Sequence, residues 1–176
     1  MKRAALYLCC FVLFSFQVGA GAQSSSATPG YTEPEIKAAF IFHLIGFVSW
    51  PNSNDPSGLC FSDRNAVYVA FASLLHKREA NDFTLKISAD EAGLVGCDLL
   101  FLSKKFMLPL STRSKPLLTI GESPGFAQRG GMIELKRNAG RVELLINNSE
   151  LQRAGFSASS RLMSLATVIT TGVETP

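Results

Sequence analysis

Two sets of side chains in this 176-residue sequence have types and spacing that could do chemistry. The first is Gly121-Glu122-Ser123-Pro124-Gly125, which fits the G-x-S-x-G spacing of a nucleophilic serine. That chemistry needs a helix directly behind the serine and a histidine further along the chain. Here Pro124-Gly125 resists helix entry, and both His43 and His76 precede Ser123. The stretch reads as a turn. The second set is Cys60 and Cys97, the two cysteines left once Cys9 and Cys10 are assigned to a leader. An oxidising compartment favours a disulfide between them over two buried thiols. Closing a loop of that span stabilises a fold by roughly 4 kcal/mol in the chain-entropy treatment. The two histidines stand at no metal-ligand spacing, so neither a metal site nor any other cofactor is expected.

The remaining candidates have simpler readings. Gly130-Gly131 precedes a strand and not a helix N-terminus, so it makes a tight turn and no phosphate loop. His43 lies in an apolar helix with no carboxylate or thiol set beside it, which suits a structural histidine. Lys77-Arg78 and Lys104-Lys105 suit solvated ends of elements. Trp50 before Pro51 suits a cap on a helix end, or an interface aromatic. No nucleophile, base and oxyanion donor assemble. The residues therefore point to binding and away from enzymatic turnover.

The leader is residues 1–22. Lys2 and Arg3 start it, an apolar run from Leu6 to Phe16 follows, and Ala20-Gly21-Ala22 offers small residues for cleavage near Ala22. The run is short for a membrane span, and no small-residue lipidation box surrounds Cys9 and Cys10. An exported, periplasmic protein without direct membrane insertion is expected. Setting aside Lys2 and Arg3 leaves 15 basic against 14 acidic side chains, which gives no electrostatic case for nucleic acid.

Residues 23–31 form a polar lead, and 32–170 suit one domain followed by a loose tail at 171–176. Thr32 and Glu35 make a capping box with Pro34 in the first turn, opening a helix to about Ser49, stopped by Trp50-Pro51. That helix is apolar most of the way round, which fits a helix sandwiched in the core or one keeping a face for a partner such as a second copy. Leu59-Cys60-Phe61 reads as a strand, Ala66 to Lys77 as a helix, and Phe83 to Ile87 as a half-exposed strand. Gly96 to Ser103 holds four apolar residues in succession and reads as a strand covered on both faces. A short helix around Phe106 to Leu110 and a strand at Pro116 to Ile120 follow. Met132–Lys136 and Arg141–Ile146 pair as a hairpin across 137–140. Asn147 caps a short helix that ends at Ala154-Gly155, and a last helix runs from Ser159 to Ile169 with Leu162, Leu165, Ala166 and Ile169 inward. The fold class is a three-layer α/β domain, its mixed, mostly parallel sheet flanked by helices and closed by a C-terminal β-hairpin.

Ordered blocks in this chain resemble one family. Glu35-Ile36-Lys37-Ala38-Ala39-Phe40 through Trp50-Pro51 is similar to its opening helix, and Leu59-Cys60 with Gly96 to Ser103 to its two cysteine-bearing strands. Leu118 to Gly121, Gly125-Phe126-Ala127 and Gly130 to Ile133 are similar to its next block. Val142 to Asn147, Ala154-Gly155-Phe156 and Ser159-Ser160 resemble its end. The family is that of YfiR-like periplasmic proteins. After Cys60 this chain departs from it, giving Phe61-Ser62-Asp63 where an apolar strand and a glycine are usual.

The resemblance implies a negative regulator that holds the periplasmic domain of an inner-membrane diguanylate cyclase inactive, lowering cyclic-di-GMP and biofilm formation. It implies a redox-sensitive disulfide at Cys60 and Cys97, no catalytic residues, and leaves the partner-binding residues open. The alternative is a periplasmic sensor that takes a small molecule at the carboxyl ends of its strands.

Overall fold

The computed structural model describes residues 30–170 apart from 52–54, 89, 91 and 106–115. The first helix, α1, spans Glu33–Phe47. Its entry is fixed by the Glu35 carboxylate, which accepts the Thr32 backbone N–H and the Thr32 hydroxyl, each at 2.8 Å. It stops earlier than the apolar pattern predicts. Val48–Ser49 forms a short strand, β1, paired antiparallel with Ser157–Ala158, which is β8. Two residues of extended backbone cannot be told from a helix end by periodicity. Trp50 then folds back over the helix end, its Nε1 donating to the Ile45 carbonyl at 3.0 Å and its ring meeting Phe156 edge-on.

Seven strands form the main sheet: β2 (Gly58–Phe61), β3 (Thr84–Ile87), β4 (Leu99–Leu102), β5 (Leu118–Gly121), β6 (Ile133–Asn138), β7 (Arg141–Asn147) and β9 (Thr167–Ile169). Their spatial order is β3-β2-β4-β5-β6-β7-β9, and every neighbouring pair is parallel except β6–β7. This is the mixed, mostly parallel α/β sheet that the sequence pattern predicts. The run at 99–102 lies between β2 and β5 with all four side chains buried, as a strand covered on both faces should.

The other helices are α2 (Ala66–Lys77), α3 (Asn148–Arg153) and α4 (Ser160–Leu165). The Asn65 and Asn147 side chains accept the Tyr68 and Glu150 N–H groups and so cap α2 and α3. The hairpin strands are longer than expected, and only Ala139-Gly140 joins them, with φ of 45° and 80°. Two successive residues at positive φ give the turn whose twist matches the strands. A second correction falls at the C-terminal end. The helix expected over 159–169 closes at Leu165, and β-branched Thr167-Val168-Ile169 adds β9 beside β7, with Val168 opposite Ile146. Leu165 and Thr167 consequently face solvent, while Leu162 is buried. The helix expected around 106–110 lies outside the described residues.

Side-chain alternation divides the core into two clusters. Leu59, Phe61, Leu99, Phe101, Leu118 and Ile120 point to one face, where α1 to α4 contribute Ile41, Phe71, Leu151 and Leu162. Cys60, Leu100, Leu102 and Leu117 belong to the other, with Cys97 and Phe126. Over that second face runs the 122–131 segment, tied down by Glu134. This buried carboxylate accepts the Gly125 and Ala127 N–H groups, each at 3.1 Å. Phe126 lies so close to Gly121 and Gly131 that a Cβ at either would strike its ring.

Candidate functional site

The outer faces of α1 and α2 form an apolar groove with a cavity volume of about 1370 Å³. On α1 the inward residues Ala38, Ile41 and Leu44 reach the core, and the outward stripe is Ile36, Ala39, Phe40, His43 and Phe47. Those five fall on one side of a 3.6-residue helix. Ala66, Val69, Ala70 and Ser73 repeat the spacing on α2, and Leu162 and Leu165 of α4 close the end. Of the exposed large apolar side chains, Tyr31, Val69 and Leu165 all line this groove. The greasy first helix thus meets both expectations at once: one face sandwiched, one face open.

Cations edge the groove. Arg78 lies over the Phe42 ring at 4.9 Å and Arg161 over the Phe47 ring at 5.9 Å, both in cation–π range. Lys77 completes the set. Among the described residues none of these three makes an ion pair. Glu35 is the acid on the rim, and its carboxyl is held below the ordinary range by the Thr32 backbone and hydroxyl hydrogen bonds. His43 is exposed in the groove, edge-on to Phe42, so it is not a core histidine.

The sulfur pair lies elsewhere. Cys60 and Cys97 are joined by a disulfide with Cα atoms 5.7 Å apart, on the sheet face turned away from the helices. The Asp98 carboxylate fastens the same corner by accepting the Ser57 and Gly58 N–H groups, each at 2.9 Å. Gly58 and the Gly96 carbonyl approach so closely that no Cβ fits at position 58.

One polar cluster is invisible to sequence reasoning. Lys37 is buried in α1, its ammonium 2.7 Å from Glu33 and 2.6 Å from Glu122, while Arg137 reaches Glu33 at 2.9 Å. Burial pushes the Lys37 pKa down, but the hydrogen bonds its ammonium donates to Glu122 and Glu33 outweigh it and leave the pKa raised. The Lys37 hydrogen bond in turn holds the Glu33 carboxyl below its ordinary value. The Glu33–Lys37 spacing of one helical turn is legible in the sequence, but the contact to Glu122, 85 residues on, is not.

Ser123 is buried in its turn, its hydroxyl donating to the Lys104 carbonyl at 3.3 Å. Gly130 has φ of 91°, as a tight turn requires. At the carboxyl ends of β2 and β4 the Ser103 N–H donates to the Ser62 hydroxyl at 3.0 Å, and the large cavity is not there. Among the described residues no three metal-ligating side chains converge, and no helix is long and apolar enough to cross a membrane.

Fold and site together define an α/β domain with a cation-edged apolar groove on its helical side. Residues 34–167 match the family described as YfiR/HmsC-like, and the chain belongs to that family. No curated protein matches it. Among solved structures it is similar to a conserved domain protein from Vibrio cholerae O1 biovar eltor str. N16961, at 13% identity and a TM-score of 0.50. That likeness covers 78% of this chain and 60% of the other, and it is a likeness of fold.

Proposed function

We propose that this protein is a periplasmic negative regulator. It binds the periplasmic sensing domain of an inner-membrane diguanylate cyclase and holds the cyclase inactive. Membership of the YfiR/HmsC-like family over residues 34–167 carries the reading. The groove supports it, since at about 1370 Å³ it exceeds the roughly 300–1,000 Å³ usual for small-molecule sites. Residues 1–22 act as a cleaved signal peptide, and the Cys60–Cys97 bond keeps the exported domain folded.

The regulator acts by population shift. Repression requires tighter binding to the inactive state of the cyclase than to the active one, and the ratio of the two affinities sets how far activity falls. No bond is made or broken in this scheme. Deleting the gene should raise cyclic-di-GMP, and the tagged protein should co-purify with a membrane-bound cyclase. An unchanged nucleotide level together with an empty pull-down would sink the proposal.

A further inference from the structure

We infer that the groove between α1 and α2 receives an amphipathic helix of the partner protein, about three turns long, with carboxylates along one flank. The inference rests on the regulator reading and names the segment of the partner that is gripped.

The shape of the groove argues for a helix. Ile36 to Phe47 is a stripe of about three turns, roughly 16 Å long. Ala39 on one wall and Ala66, Ala70 and Ser73 on the other are small, so a third helix can approach closely, while Phe40, Phe47 and Val69 supply apolar contact.

Charge selects the occupant. Lys77 and Arg78 at the end of α2 line the groove, and Arg161 at the start of α4 lines it over the Phe47 ring, where the stripe ends. The groove therefore carries three cations, without an ion-pair partner among the described residues. A second copy of this chain is a poor occupant. A two-fold contact would set Lys77, Arg78 and Arg161 against themselves. Of the acids of α1, Glu33 is committed to Lys37 and Arg137, which leaves Glu35 alone against three cations from each copy.

The exported protein, purified after processing, is titrated with a labelled helical peptide of about 14 residues. The peptide carries leucines on one face and glutamates on the flank, and a twin carries lysines in place of the glutamates. We expect the acidic peptide to bind at least about tenfold more tightly than its twin, with the gap closing at high salt. The doubly substituted protein Lys77→Glu/Arg161→Glu, altered only at exposed positions, should reverse the preference. Ala70→Trp should abolish binding of both peptides.

Equal binding of the twins, or no binding of either, overturns the inference. So does a concentration-dependent dimer that Ala70→Trp dissociates. The same double variant is then returned to the deletion strain. If deletion raises cyclic-di-GMP and the variant restores full repression, the groove assignment falls while the regulator reading stands. If deletion has no effect, the regulator reading falls and the peptide titration alone decides the groove.

Discussion

The two faces of the sheet are built on different principles. On the helical face, Leu59, Phe61, Leu99 and Phe101 pack against α1, α2 and the shorter helices, with 21 buried apolar residues in one cluster. On the opposite face only six such residues cluster among the described ones, two of them the half-cystines. Apolar burial contributes about 25 cal/mol per Å² removed from water, so the first face can hold itself together by area. The second is held by specific ties: the disulfide, the Glu134 carboxylate under its loop, and Asp98 on the Ser57 and Gly58 amides. Such a division leaves the helical side free to keep one groove uncovered.

The sharpest way to break this comparison is to damage each face separately. Phe61 is fully buried and meets the rings of Tyr68, Phe71 and Phe101 at 5.3 to 5.5 Å. We expect Phe61→Ala to lower unfolding free energy by about 3–5 kcal/mol in denaturant titration. On the other face, Cys97→Ser or full reduction should cost about 2–4 kcal/mol. A loss below about 1 kcal/mol there would mean the second face needs no covalent tie.

Lys37 tests the joint between α1 and the end of β5, and Lys37→Met should cost about 1–3 kcal/mol by leaving Glu122 without its partner. Its pH dependence has a definite sign. The Glu33 pKa is lowered by folding, so its contribution is present above the unfolded value and is lost as pH falls through the folded one. The Lys37 pKa is raised, so its share is complete below the unfolded value and is lost as pH rises through the folded one, in strongly alkaline solution. Denaturation from neutral to acid pH should therefore show a loss in the wild type that is much reduced in Lys37→Met. Equal acid slopes would rule out the pair as the cause. The smallest effect belongs to Ser123→Ala, about 1 kcal/mol for the lost hydrogen bond to the Lys104 carbonyl and with repression intact. Loss of repression in a variant of normal stability would return Ser123 to functional standing.

Legibility followed the range of the interactions. The capping box at Thr32 and Glu35, the Asn147 cap and the apolar run at 99–102 act within a turn or a strand, so the sequence displays them. The strands at Val48–Ser49 and Thr167–Ile169 exist because of partners far along the chain, and three residues or fewer leave no periodicity to read. Lys37 is the same case for charge, because burial is set by a carboxylate from another element. Of the groove, half was legible. The all-round apolarity of α1 left a sandwiched helix and an uncovered face as alternatives, and which residues of α2 and α4 would frame a groove depended on packing.

The sulfur bond has a topological consequence for that groove. Together with the backbone from Cys60 to Cys97 it closes a covalent ring that contains the whole of α2 and β3. Helices α1 and α4 lie outside the ring. The groove thus has one wall inside a covalent ring and another, α1, joined to the sheet through packing and the Lys37–Glu122 and Arg137–Glu33 ion pairs. Breaking the disulfide would open the ring around α2 and leave the α1 wall's own ties in place.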